Sequence, residues 1–204
     1  ANQRALSLVY KLSSGNKLSL NGQIDRIDMT EDGRYFMVMD YKTGNAAINI
    51  MDVYYGIKLQ LLTYLLVTKQ FLSAQQGEEA LPVGMLYYFL KQPRASLASH
   101  GESQQEVIAA LEKKLLMPGW IVADKELVQL IDSTLSQPGA KSRFIHATMK
   151  KGGDLMANAT YLRQPRELEL LLEYVEGLLQ HTGRDILAGR IAPVPYRNRE
   201  GHST

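Results

Sequence analysis

The 204-residue sequence lacks cysteine altogether and contains only four histidines. The absence of cysteine excludes disulfide bonds and thiolate metal sites within the chain, and it agrees with a cytoplasmic origin. The histidines are scattered, with no ligand spacing and no accompanying nucleophile motif: His100, His146, His181 and His202. This distribution argues against a zinc enzyme and against a serine hydrolase.

Long apolar runs and a strong charge of either sign are also missing. The longest apolar stretch, from Leu59 to Val67, is interrupted by Gln60 and Thr63 and is too short to span a bilayer, so no membrane partner is expected. The net charge is only +2, and the clusters of lysine and arginine near residues 141–151 and 184–199 are weak evidence for a phosphate-binding surface. A Walker-type phosphate loop, Gly-x-x-x-x-Gly-Lys-Ser/Thr, does not occur.

What remains is the composition of an ordinary globular protein. Hydrophobic residues make up 45% of the chain and charged residues 22%, which suits one domain of this length, or one domain with a large insertion. The first residue is alanine rather than methionine, so we expect a fragment of a larger protein.

The first half of the sequence predicts a compact β-β-α-β unit over residues 18–90. Residues 18–28 roughly alternate apolar and polar side chains, Gly33 supplies a turn, and residues 35–41 read as a second strand, which together predict a hairpin over 18–42. Apolar residues recur every three to four positions from 51 to 72, predicting one helix that Asn49 or Asp52 caps. The apolar run 81–90 predicts a strand central in the sheet.

The second half predicts a C-terminal α+β extension over residues 91–204. We expect a loop at 92–101, helices at 103–117, 126–135 and 166–181 with Gly183 as the last helix's stop, a strand at 144–149 in a second hairpin, and an extended segment at 191–196. The fold class is therefore α/β, with a central mixed sheet flanked by helices and residues 18–90 as the catalytic core.

The hairpin carries the residues with chemical potential. Asp25 and Asp40 fall on neighbouring antiparallel strands, where both carboxylates can share one face. Mg²⁺ takes oxygen ligands and commonly only one or two protein carboxylates, and the carbonyl of Tyr41 is a plausible third ligand. Lys42 lies two residues beyond Asp40 and so points to the same face, where its ammonium can orient a water or stabilise a phosphoryl transition state.

Two further features bear on this site. Gln60 and Tyr64 are four residues apart on the predicted helix and share a face, from which they can anchor Lys42 or a phosphate. Asp28 is an alternative ligand, but alternation points it to the face opposite Asp25, so we assign it a turn or hydrogen-bonding role.

With these residues in place, the sequence resembles a known family. Gly22–Asp28, Asp40–Gly44 and Tyr54–Tyr64 together are similar to the motifs of the PD-(D/E)XK nuclease domain, of RecB type, in the AddB/RexB subunits of bacterial ATP-dependent helicase–nucleases. The segments 119–122, 170–176 and 186–196 resemble the C-terminal region of those proteins, so the resemblance covers nearly the whole chain.

The resemblance implies a restriction-endonuclease-like core and a role for each motif residue. Asp25 and Asp40 become metal ligands, Lys42 a catalytic residue, and Gln60 and Tyr64 its supporting pair. It further implies Mg²⁺ (or Mn²⁺) as cofactor, single-stranded DNA as substrate, a helicase–nuclease partner subunit, and a part in repairing double-strand breaks.

The sequence departs from that family in two respects. Only residues 1–14 precede the hairpin, too few to supply the upstream helix that completes the family's core. The family commonly holds an iron–sulfur cluster through cysteines that flank this region, whereas this chain has none. We therefore expect a nuclease-domain fragment that does not bind the cluster by itself.

Two alternatives to this interpretation stay open. One is a non-cutting module of the same fold that binds DNA or a partner subunit, although the intact set of Asp25, Asp40 and Lys42 argues against it. The other is a stand-alone nuclease of the same superfamily in another pathway, which the resemblance of the C-terminal half makes less favoured.

Overall fold

The computed structural model describes residues 4–12, 15–91 and 104–192. Its strands are β1 (Arg4–Lys11), β2 (Lys17–Ile24), β3 (Arg26–Met29), β4 (Tyr35–Lys42), β5 (Leu81–Phe89), β6 (Gly119–Val122) and β7 (Leu162–Arg163). Its α-helices are α1 (Ile50–Tyr54), α2 (Gln60–Gln76), α3 (Gln104–Leu115), α4 (Lys125–Ile131) and α5 (Pro165–Leu187), with a 3-10 turn at Ser133–Ser136.

The centre of the fold is a five-stranded sheet in the order β3-β4-β5-β6-β7. Strands β3 and β4 are antiparallel, β4 and β5 parallel, β5 and β6 antiparallel, and β6 and β7 parallel. A separate two-stranded sheet pairs β1 with β2. The predicted fold class, a central mixed sheet flanked by helices, is confirmed, and so is the β-β-α-β order within residues 18–90.

Strand β4 is buried on both faces because it separates two hydrophobic cores. Phe36 and Val38 pack into the core that contains helices α2 and α5, whereas Met37 and Met39 pack into the core that contains α4. Side chains alternate along a strand, so Asp40 and Lys42 continue the row of Phe36 and Val38. That alternation points both polar side chains toward the side of the sheet that α2 covers.

The predicted strand over 18–28 is interrupted at Asp25, which corrects the continuous hairpin arm. Strand β2 leaves the central sheet at this point and pairs with β1, a strand that the prediction omitted. Part of the reason is local, because the Asp25 carboxylate accepts the backbone N–H of Tyr41 at 2.8 Å. The signal for β1 was present, since Leu8, Tyr10 and Leu12 alternate and are buried.

The single helix predicted over residues 51–72 is wrong: it is two helices. Asn49 caps α1 by accepting the N–H of Met51 at 2.8 Å, and α1 ends after one turn. Gly56 then adopts φ +74°, a left-handed conformation that a residue with a side chain seldom takes. Tyr174 of α5 donates its hydroxyl to the Tyr54 carbonyl at 2.7 Å and so fixes this break against the long helix.

The C-terminal half departs from prediction in its strands. Residues 119–122 and 162–163 form β6 and β7 of the central sheet, neither of which was predicted. The predicted strand over 144–149 contributes only isolated bridges. The predicted helix over 126–135 ends at Ile131 and continues as the 3-10 turn.

Gly183 does not stop the last helix, which continues to Leu187. The glycine is buried, and a Cβ there would lie 3.0 Å from Leu18 Cδ2. Gly183 therefore allows α5 to approach β2 closely, a requirement set by tertiary packing.

A carboxylate rather than a strand organises the segment around residues 132–145. Asp132 is buried, and it accepts the N–H of Thr134 at 3.0 Å, the Thr134 hydroxyl at 2.7 Å and the Ser142 hydroxyl at 2.6 Å. Burial alone raises the pKa of Asp132, but these hydrogen bonds outweigh it and hold that pKa below its usual range.

Two predicted elements lie outside the described residues: the loop over 92–101 and most of the extended segment over 191–196. Across the described ranges, no helix is long and apolar enough to cross a membrane.

Candidate active site

The two aspartates of the hairpin meet at the edge where β2 gives way to β3. Arg26 pairs with Met39 in the antiparallel register, and one further step brings Asp25 opposite Asp40. Directly opposed residues in an antiparallel pair share a face, so the two carboxylates point to the same side of the sheet. The Asp25 carboxylate is fixed from below, because its Oδ2 accepts the N–H of Tyr41.

Asp28 lies on the other side. It pairs with Met37, whose side chain belongs to the opposite core, and its carboxylate accepts a hydrogen bond from Arg26 Nε at 2.7 Å. The hydrogen-bonding role predicted for Asp28 agrees with this geometry.

Asp40 is the most deeply buried charged residue of the site, with only 3% of its surface exposed. Lys42 Nζ lies 2.6 Å from Asp40 Oδ2, a close ion pair. The contact lacks hydrogen-bond geometry, however, and within the described ranges Oδ2 has no hydrogen-bond donor. Buried carboxylate oxygens normally accept hydrogen bonds, so this oxygen retains the capacity to bind a cation.

Lys42, Gln60 and Tyr64 form a continuous chain of polar contacts. Lys42 Nζ donates to Gln60 Oε1 at 2.9 Å, and Gln60 Nε2 donates to the Tyr64 hydroxyl at 3.0 Å. The amide group thereby links the lysine to the tyrosine, and each member restricts the orientation of the next. The predicted helix face carrying Gln60 and Tyr64 is turned toward Lys42.

Helix α2 places that pair because of where it begins. Gln60 is its first residue and Tyr64 lies one turn later, so both stand at the helical end nearest the hairpin. A Cβ at Gly22 would lie 3.6 Å from Tyr64 Cε1, so the tyrosine ring rests directly on β2 beside this glycine. Among the described residues, no side chain caps the start of α2, and its first turn contains no acidic residue.

An open cleft of about 520 Å³ lies beside this polar chain. Lys42 and Gln60 line one part of it, and Lys58, Asn45 and Tyr87 line others. Lys58 forms an ion pair with Asp52 at 2.9 Å, whereas Lys42 faces the aspartate of the sheet. The cleft is therefore bordered by two lysines with different partners.

Tyr87 is a site residue that sequence reasoning missed. It pairs with Asp40 across the parallel β4–β5 ladder, and Lys42 Nζ lies 5.6 Å from the centre of its ring. Burial raises the pKa of Tyr87, and the negative charge of Asp40 raises it further. Only the strand register relates Tyr87 to Asp40, and a single sequence does not contain that register.

In the described part of the chain, no group of three or more His, Cys, Asp or Glu side chains could hold a metal ion. The candidate site offers two carboxylates instead. That donor set matches Mg²⁺, which commonly keeps several waters and binds one or two carboxylates.

A mixed sheet with an acidic pair and a lysine at the ends of adjacent strands is the arrangement of the PD-(D/E)XK nucleases. The family model described as the PD-(D/E)XK nuclease superfamily matches residues 3–201, and this chain belongs to that superfamily. Its sheet is that of a restriction-endonuclease-like fold.

The similar curated proteins share one name, which describes each as a subunit of an ATP-dependent helicase/deoxyribonuclease. The protein from Acetivibrio thermocellus is 34% identical over 94% of this chain. Those from Bacillus cereus and Ruminiclostridium cellulolyticum are each 33% identical, over 92% and 95% of this chain. The match covers 16% of the length of each of these relatives, so this chain corresponds to about one sixth of such a protein.

Proposed function

We propose that this chain is the nuclease domain of a helicase–nuclease subunit and that it hydrolyses phosphodiester bonds of single-stranded DNA. The observation that carries the proposal is the geometry around Asp40. A buried carboxylate oxygen without a hydrogen bond faces the same side as Asp25 and lies beside a lysine held by Gln60. A structural ion pair alone does not require a second carboxylate at that position.

Mg²⁺ is the cofactor we propose, with Mn²⁺ as a substitute. Asp25 and Asp40 would hold it, and the Tyr41 carbonyl is the proposed third protein ligand. When bound, a divalent cation neutralises charge on the phosphate and lowers the pKa of a water molecule. The residues present fit the ion, because hard cations take oxygen ligands and Asp40 Oδ2 is available.

Lys42 is the proposed catalytic cation of the protein itself. Its ammonium donates one hydrogen bond to Gln60 and has further donors for a phosphoryl oxygen. Gln60 and Tyr64 hold it in place, which limits the motion of a long, flexible side chain. The free N–H groups at the start of α2 add a partial positive charge beside the same cleft, which favours a phosphate there.

Hydrolysis then adds water across the P–O3′ bond. The water oxygen attacks phosphorus in line with the departing O3′, and the products are a 5′-phosphate and a 3′-hydroxyl. Lys42 stabilises the negative charge that develops on the phosphoryl oxygens.

The remaining functions belong to the whole protein and extend this proposal. We propose that ATP is consumed by motor regions outside these residues, and that the complex, with its partner subunit, processes double-strand breaks as an exonuclease in the cytoplasm. An iron–sulfur cluster in that larger protein would be held by cysteines outside this chain, which has none.

Cleavage of end-labelled single-stranded DNA by the 204-residue chain tests the proposal. We expect cleavage with Mg²⁺ or Mn²⁺ and none with EDTA. Lys42→Met should lower the rate by about 10²-fold or more, as loss of a positioned charge donor does. Lys58→Met is the matched control, because Lys58 lines the same cleft but pairs with Asp52.

Two results would contradict the proposal. One is DNA binding without any cleavage, which is the behaviour of a non-cutting module of the same fold. The other is cleavage that Lys42→Met leaves at the wild-type rate.

A further inference from the structure

A second, larger groove begins where the active-site cleft ends. It has a volume of about 880 Å³ and is continuous in sequence with the catalytic strand, because Thr43 and Gly44, directly after Lys42, line it. Asn45 lines both the cleft and the groove. At the opposite strand end, the Leu90 N–H donates to the Lys42 carbonyl at 3.0 Å, which holds the start of the groove against the catalytic lysine.

The charge of this groove has one sign. Lys91, Lys113 and Lys114 line it, and none of the described residues that line it is acidic. Ala110, Lys113 and Lys114 are spaced by three and four on α3, so one face of that helix is turned toward the groove. A groove with this charge is complementary to a phosphate backbone.

The groove also has an aromatic wall. His146 and Tyr161 stack with ring centroids 3.6 Å apart and planes 4° from parallel, and both rings line the groove. Burial lowers the pKa of His146, and the positive charges of Lys141 and Lys113 lower it further. The imidazole is therefore neutral near pH 7 and lies in a positive potential, a setting that suits a nucleobase beside a phosphate.

We propose that this groove, which we call the lysine groove, binds the single-stranded DNA that extends from the phosphate held at Asp40 and Lys42. Lys91, Lys113 and Lys114 contact its phosphates, and the His146–Tyr161 pair contacts its bases. The inference rests on the proposed function for its ligand, because it takes DNA as the strand that occupies the cleft. It adds a binding site for the strand beyond the cutting centre.

The test measures DNA affinity rather than cleavage. A fluorescein-labelled single strand of about 12 nucleotides, within the range of known single-strand site sizes, is titrated with the full 204-residue chain in EDTA at several salt concentrations. A gel of the recovered strand verifies that it stays intact. Each phosphate contact on a single strand contributes about −0.7 to the slope of log K against log salt concentration.

Lys113→Gln/Lys114→Gln should reduce that slope by about 1.4 and weaken binding by about 25-fold at 0.1 M salt relative to 1 M. The matched control is Lys11→Gln/Lys17→Gln, which removes the same charge from two exposed, mutually paired strand residues. Lys17 is eight residues along β2 from Asp25, or roughly 26 Å at the usual strand rise. The control should bind like the wild type.

Equal affinities and slopes for the wild type and Lys113→Gln/Lys114→Gln would overturn the inference, as would an equal loss in the control. Circular dichroism and the melting temperature verify that the variants fold. Should the double variant fail to fold, Lys91→Gln decides, with an expected loss of about 5-fold and a slope change of about 0.7.

Photo-crosslinking locates the strand independently. A 4-thiothymidine in the same strand should crosslink to a peptide that contains His146 or Tyr161, and crosslinks confined to other surfaces would contradict the inference. The two proposals fail separately. Weakened binding by Lys113→Gln/Lys114→Gln in a chain that never cuts refutes the nuclease function alone, whereas normal cleavage with unaltered binding refutes the lysine groove alone.

Discussion

Removing Lys42 should abolish cleavage and at the same time strengthen metal binding. Its ammonium lies 2.6 Å from Asp40 Oδ2, the oxygen that we propose as a metal ligand. A metal ion on the same carboxylate would lie about 2.1 Å from its oxygen, and so roughly 4 Å from the ammonium. The two cations repel each other, and Lys42→Met removes that repulsion.

The magnitude follows from Coulomb's law. Charges of +2 and +1 separated by roughly 4 Å repel by about 2 kcal/mol even at the dielectric constant of water. We use this lower limit because the Lys42 side chain is 32% exposed and its ammonium can move toward solvent. An energy of about 1.4–2 kcal/mol corresponds to roughly 10- to 30-fold tighter binding.

Mn²⁺ titration followed by electron paramagnetic resonance, without DNA, measures this effect. Lys58→Met is again the control and should bind Mn²⁺ like the wild type. The reasoning is refuted if Lys42→Met binds Mn²⁺ no more tightly than the wild type, or if Lys58→Met gains as much. In the first case Lys42 does not share a carboxylate with the metal.

Four further outcomes are expected. Gln60→Ala should slow single-turnover cleavage by about 10- to 100-fold, because misplacing a catalytic group has costs of this order, and Tyr64→Phe should slow it less. Gly56→Ala should lower the free energy of unfolding in urea by about 1–2 kcal/mol, because φ there is +74°. Asp132→Asn should reduce the acid sensitivity of the fold: the folded-state pKa of Asp132 is depressed, so its stabilisation is present above about pH 4 and lost as the pH falls through the folded-state value, which urea unfolding at several pH values measures. Titration by NMR should place the pKa of His146 below 6.5, and single-stranded DNA in the lysine groove should raise it, since phosphates favour the imidazolium.

Much of the fold could be predicted from sequence because its main periodicities are local. The alternation in residues 35–41 and the apolar run at 81–90 correspond to β4 and β5, the two central strands. The leucine pattern from 166 onward corresponds to α5. Each signal comes from a face that packs against the core, so pattern and structure agree.

The misses have physical causes that act over longer distances. Asp25 interrupts its strand by bonding Tyr41, a residue 16 positions away. Gly183 lies within a helix because Leu18 of β2 approaches it. Strand β7 has only two residues and forms because β6 is available as a partner. None of these contacts leaves a periodic trace in the chain.

The candidate site divides in the same way. Asp25, Asp40 and Lys42 could be placed on one face, because alternation and hairpin pairing fix side-chain direction. Tyr87 could not, since it approaches Asp40 only through the parallel β4–β5 register. The roles of these residues remain a proposal that chemistry, rather than geometry, has to test.

Anomalous diffraction from crystals of the chain soaked in Mn²⁺ tests the central claim most directly. The account predicts one principal peak between the carboxylates of Asp25 and Asp40, with ligand distances of about 2.0–2.3 Å, as expected for a small hard divalent cation. Crystals of Asp40→Asn should lose that peak. A principal peak elsewhere, or a peak that survives Asp40→Asn, would contradict a metal centre at this pair.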